Sequence, residues 1–139
     1  MKYISGVIAL NLPCSLDTTG DWHRSSLPWD KVDIKDTENS SLGAWGIEKD
    51  VFVRELDGKY NVANTLRACV DFLDTDKYLS AEGMRRDYLG NDKYNQELFN
   101  AVYSLKPHKT AEQWSNISKV MEKDYMLKWL NYLKAKEAK

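Results

Sequence analysis

The sequence predicts an α+β fold: a small β-rich N-terminal part of about three short strands, then a bundle of four or five helices. Three observations lead there. Up to residue 60 the apolar runs are short and turn residues are frequent. From residue 61 apolar side chains recur at helical spacing. With 139 residues, 42% of them hydrophobic, the chain is long enough to bury a core without staples. No low-complexity linker and no solenoid-period repeat divides it. We therefore expect a single domain over 1–139, β-rich over 1–60 and helical over 61–139.

The elements follow in order. Residues 3–12 read as a strand ended by Pro13. Residues 14–30 are irregular. Residues 31–35 alternate polar and apolar, as an edge strand does. A loop over 36–46 leads to a third strand at 51–54, and Asp57-Gly58 marks a turn. Asn61 is an expected N-cap, with Val62, Leu66, Cys69, Val70 and Leu73 on one helical face. A weaker helix over 78–88 contains Gly83 and ends at Gly90. Asn91 or Asp92 caps the next, whose stripe is Tyr94, Leu98, Ala101, Val102 and Leu105 and whose stop is Lys106-Pro107. Thr110 and Gln113 make a capping box for a fourth helix carrying Trp114, Ile117 and Met121. A fifth carries Met126, Trp129, Leu130 and Leu133. No glycine or proline separates the last two, so one long helix is an open alternative.

Bulk numbers exclude several classes. Twenty Lys+Arg against twenty-one Asp+Glu give a net charge of −1, evenly spread along the chain, so neither a nucleic-acid binder nor an acidic DNA mimic is indicated. No apolar run is long enough to span a membrane. The first residues lack the pattern of a cleaved leader, which makes the cytosol the expected compartment. Two cysteines, Cys14 and Cys69, make no disulfide framework and agree with a reducing location.

Residues 16–29 hold the densest set of functional side chains: Asp17, Asp21, Trp22, His23, Arg24 and Trp29. His23 as base or ligand with Asp21, assisted by Asp17 and Arg24, is the catalytic candidate. The competing reading is turn chemistry, with Trp22 and Trp29 pinning the loop. No metal-ligand spacing or phosphate loop is complete, so no metal and no cofactor is expected. Cys14, near His23 and Asp21, is a weaker nucleophile candidate, and Cys69 reads as core. Gly43-Ala-Trp-Gly46 reads as a turn with its glycines at positive φ. Trp22, Trp29 and Trp45, with Arg24, are the partner-binding candidates, and at least two of the three tryptophans are expected to be buried. Arg85, Arg86 and Lys93 beside Tyr88 and Tyr94 form a weak RNA-type patch, interrupted by Asp87 and Asp92. His108 reads as an exposed loop residue.

At Tyr3-Ile-Ser-Gly-Val7, Leu10-Asn-Leu-Pro-Cys14, Gly20-Asp-Trp-His23, Gly46-Ile-Glu48, Asn61-Val-Ala-Asn64 and Trp129-Leu130 the chain resembles a group of small, uncharacterised bacterial proteins carried in genomes and mobile elements. The resemblance implies a bacterial or phage conflict system and assigns no catalytic residue. Three function classes result. The first is a non-enzymatic, antitoxin-like or defence-associated module with a protein partner. The second is a small hydrolase or nucleotide-processing enzyme, with or without a metal, using Asp21 and His23. The third is an RNA-binding protein using Arg85, Arg86 and Lys93. A stripe on the last helix would also fit a homodimer.

Overall fold

The structure is a computed structural model and describes residues 1–18, 20 and 22–138. The architecture is α+β, as expected, but its details differ. Four strands form one mixed sheet: β1 (Lys2–Ser5), β2 (Asp33–Asp36), β3 (Ile47–Val53) and β4 (Gly58–Ala63), in the order β2-β1-β4-β3. β1 runs antiparallel to β2 and parallel to β4, and β3 and β4 form a hairpin. The Asp57-Gly58 signal marks that hairpin's turn, with Asp57 in the left-handed region.

Three expected boundaries move. The first strand stops at Ser5 because Gly6, at φ 71°, turns the chain into a short buried helix, α1 (Gly6–Leu10). A short apolar run does not by itself distinguish strand from helix, and here the glycine decides. The Val51 strand begins four residues earlier, and a bulge between Glu48 and Val51 accommodates Asp50 at φ 56°. Asn61 lies in β4 and caps nothing. Asn64 caps α2 (Thr65–Asp74), its side chain accepting from the Arg67 N–H. Helices are therefore not confined to a C-terminal bundle: α1 packs beside α2, close behind the sheet.

The weak helix over 78–88 is two pieces, α3 (Tyr78–Ala81) and α4 (Met84–Asp87), split at Gly83 with φ 85°. Asn91 caps a single 3₁₀ turn leading into α5 (Asn95–Ser104). The Thr110–Gln113 capping box opens α6 (Ala111–Tyr125). The chain then kinks at Met126, so α7 (Leu127–Glu137) is a separate helix.

α2 lies between the sheet and the outer helices, buried over most of its length. Leu66, Ala68, Cys69, Val70 and Leu73 are in the apolar core. Arg67 and Asp71 sit one helical turn apart, fully buried, with Arg67 Nε donating to Asp71 Oδ1 at 2.9 Å. Tyr3 and Ser5 of β1 donate to Asp71 Oδ2, each at 2.7 Å. Arg67 Nη2 donates to the Tyr3 oxygen at 3.0 Å, and Nη1 to the carbonyls of Gly43 and Trp45 at 2.7 and 2.6 Å. The glycines of this turn take φ 57° and 73°, as the sequence suggested. At Gly46 the requirement is also steric, since a Cβ would sit 2.7 Å from that of Arg67.

Replacing one partner of a buried pair strands the other. Arg67→Met should lower the unfolding free energy in urea by about 3–5 kcal/mol. Arg67→Lys keeps the charge but lacks the planar fork, and should cost about 1–3 kcal/mol. Equal costs would show that shape and not the donor set matters at this position.

Candidate functional site

The segment between α1 and β2 is irregular, yet its described residues are tied down at several points. Asn11 is buried and donates from Nδ2 to the Val7 carbonyl at 2.8 Å, while its Oδ1 accepts from the Trp22 N–H at 3.2 Å. Gly20 donates to the Leu10 carbonyl, and a Cβ there would collide with the Asn11 amide and the Tyr88 ring. Ser15 bonds Glu48 of β3 through both its N–H and its hydroxyl. The Tyr94 hydroxyl donates to the Leu16 carbonyl at 2.6 Å. Further on, Arg24 forks onto Glu55, with Nε and Nη2 at 2.7 and 2.5 Å. The Trp29 indole N–H closes onto the Arg24 carbonyl at 2.6 Å.

These ties bring together two segments that the sequence singled out separately. Asp17 and Thr18 face Tyr88, Asn91, Lys93 and Tyr94 across a polar cleft of about 350 Å³. Lys93 Nζ lies over the Tyr94 ring at 5.1 Å. Behind Thr18 sits Cys14, half-buried, at the N-terminus of α2. Its sulfur is 3.7 Å from the Thr18 hydroxyl and 3.6 Å from that of Thr65, and the two hydroxyls bond each other. Burial pushes the Cys14 thiol up. The N–H and hydroxyl of Thr65, the Leu16 N–H and the Thr18 hydroxyl outweigh that and hold it below the ordinary thiol value. Cys69 is the opposite case: complete burial, with Asp124 beyond it, pushes its thiol far up.

The other candidates disperse. His23 is exposed, and Asp21 lies outside the described residues. Asp17 is exposed at φ 57°. Arg24 is committed to Glu55. Trp22 is 52% exposed. Trp29 and Trp45 are half-buried against the core, Trp45 donating to Glu97 at 3.0 Å. The basic patch is divided. Lys93 faces the cleft, whereas Arg85 and Arg86 line a separate depression with Asp124. There Arg85 pairs with Asp92 at 3.6 Å and lies over the Tyr125 ring, and Arg86 pairs with Asp87 at 3.0 Å. His108 is exposed in a 3₁₀ turn. Among the described residues no three of His, Cys, Asp or Glu converge as a metal site would require, and no helix is long and apolar enough to cross a membrane.

Thr18 and Thr65, the donors around Cys14, were missed from sequence. The one available signal was the Asn64-Thr65 start of a helix, which the misplaced Asn61 cap obscured. Comparison with protein-family models, curated proteins and solved structures finds no match to this chain.

Two measurements probe this geometry. In the folded protein iodoacetamide should modify Cys14 and leave Cys69 untouched until unfolding. Thr65→Val, which keeps the N–H and removes the hydroxyl, should move the midpoint of the Cys14 rate–pH profile upward, and an unmoved midpoint would discount the Thr65 hydroxyl. The second concerns Glu55, which its hydrogen bond from Arg24 holds down to about 2. Its folded pKa is below the unfolded one, so the pair's contribution is complete above about pH 5 and fades as the pH falls towards 2. Arg24→Met should therefore lower the urea midpoint at pH 7 and leave it nearly unchanged at pH 2.

Proposed function

We propose that this protein is a non-enzymatic binding module for a protein partner, engaged through the loop that carries Trp22. The observation that carries the reading is Trp22 itself, 52% exposed on a loop otherwise fastened to the body. A tryptophan is costly to leave in water and supplies large contact area with few rotatable bonds, so a braced, exposed one is suited to be an interface anchor. Asp17 and Lys93 in the adjoining cleft offer a polar rim of both charges. Strand addition is a poor alternative. β2 is short and carries Asp33, Lys35 and Asp36, and β3 is bulged at Lys49–Asp50, features that protect sheet edges. The catalytic reading has less support, because His23 is exposed and has no described partner that would orient it as a base. A bacterial or phage conflict system remains the setting that the sequence resemblance favours for such a module.

The test compares tagged wild-type protein with Trp22→Ala in nuclease-treated extracts of the native host, followed by affinity measurement with the captured partner. Trp22→Ala should weaken binding about 30-fold or more while leaving the urea midpoint unchanged. Trp29→Ala and Trp45→Ala should instead lower stability by about 1–3 kcal/mol. A partner bound equally well by Trp22→Ala, or a Trp22→Ala protein that fails to fold, would defeat the interface reading.

A further inference from the structure

Independently of the Trp22 loop, the junction of α6 and α7 carries a second inference. Met126 stands there at φ 50° and ψ −125°, a conformation that only glycine adopts without strain. The kink also interrupts the backbone ladder. The N–H groups of Leu127 and Trp129 do not reach the carbonyls of Lys123 and Tyr125, as they would in a continuous helix. α7 begins with no side-chain cap. Local sequence preference therefore favours one unbroken helix over 111–137, which contains neither glycine nor proline.

What holds the kink closed is the seat of α7. Trp129 is fully buried with its ring 5.3 Å from that of Phe99. The Tyr132 hydroxyl donates to Asn100 at 2.6 Å, Lys128 pairs with Asp92 at 2.5 Å, and Glu137 with Lys106 at 3.3 Å. Every one of these seat residues lies N-terminal to the hinge. A second copy of the chain can therefore offer the same seat to this α7.

We propose that the partner fitted to this seat is a second copy of the chain, and that two copies exchange α7, each straightening through Met126 into one long helix. The exchange keeps every contact of the seat, relaxes the backbone of Met126 and restores the interrupted ladder. Met126, Leu127 and Leu130, apolar and exposed at the kink, then lie where the two straightened helices leave their bodies and can cover one another.

The test uses the whole chain. Equal amounts of ¹⁴N- and ¹⁵N-labelled protein are unfolded, refolded together at high concentration and treated with a carbodiimide, which links the Lys106 amine to the Glu137 carboxylate without a spacer. Exchange gives a dimer by light scattering, with about half of the Lys106–Glu137 linked peptides carrying one label of each kind. Met126→Gly accepts the kink without strain and disfavours the long helix, so it should weaken the dimer about tenfold per hinge, or about a hundredfold for two. Met126→Ala removes the exposed side chain but keeps the strain, and should still form the dimer. Monomer mass with same-label peptides only would overturn the proposal. So would a dimer with same-label peptides only, which would mean that intact molecules dock by their surfaces. A Met126→Gly dimer as tight as wild type would overturn the role of the hinge. None of these results bears on Trp22, whose test reads a different loop.

Discussion

Arg67 is the residue on which the rest of the structure depends. It is buried on the central helix and surrounded by acceptors from three separate parts of the chain: Asp71 on its own helix, the Tyr3 hydroxyl in β1, and the carbonyls of Gly43 and Trp45. A guanidinium buried without such partners would cost more than the whole fold can spare. Satisfying it fixes the register of β1 against α2 and folds the 43–46 turn back onto the helix. Burial, with Asp71 alongside, also pushes the Tyr3 hydroxyl well up, so the phenol keeps its proton and remains the donor that Asp71 needs. Buried ion pairs often add no more to stability than the same volume of apolar packing. What it contributes is a single geometry, because a shifted strand would leave a buried charge unpaired.

That geometry is what places the candidate site. The Gly46 carbonyl of the 43–46 turn accepts from the Asn64 N–H at 2.7 Å and so sets where α2 begins. Its first residue, Thr65, then points its N–H and hydroxyl at Cys14. The loop that follows is drawn against the body by Ser15 and Leu16, and Gly20 is pressed between Asn11 and Tyr88. Trp22, its N–H held by Asn11, leaves its ring exposed on this loop. Arg24 and Glu55 fasten the far shoulder. This half-buried, forked pair adds modestly to stability and restricts where the loop can travel.

The α+β class was legible because the change from short apolar runs to helical periodicity is a property of composition and spacing alone. The turn at Asp57-Gly58 and the Thr110–Gln113 box were legible for the same reason: the chemistry is complete within four residues. Where the reading failed, the deciding contact was distant. Residues 7–10 are as apolar as a strand, and only the turn at Gly6 sends them into a helix. Asn61 and Asn64 are equally good caps by residue type, and pairing of β4 with β1 and β3 takes the first into the sheet. Arg67 lies off the apolar stripe of its helix, and nothing local marks it as central, because its partners lie up to 64 residues away. The site shows the same division. The loop was recognisable by its density of functional side chains, but which of them would gather depended on the Tyr94–Leu16 and Thr65–Cys14 contacts, and no local pattern encodes those.

At the C-terminal end local preference and packing oppose each other directly. A methionine forced into a left-handed conformation costs about 1–3 kcal/mol, and each unformed helical hydrogen bond adds about 1 kcal/mol. Against this stands Trp129, whose complete burial among aromatic neighbours is worth about 3–5 kcal/mol by the cost of truncating such residues. The gain is reduced because its indole N–H, like the nearby Tyr125 hydroxyl, is buried with no hydrogen-bond partner among the described residues. The two sides are of similar size, so the further contacts of the seat, from Tyr132, Lys128 and Glu137, decide for the closed form of α7. Within one molecule the conflict has no better solution, since straightening the helix empties the Trp129 seat. Between two molecules both demands are met together, at the cost of association entropy alone. In the proposed exchange protein concentration would decide which arrangement prevails, whereas the Arg67 network at the other end of the molecule is the same in both.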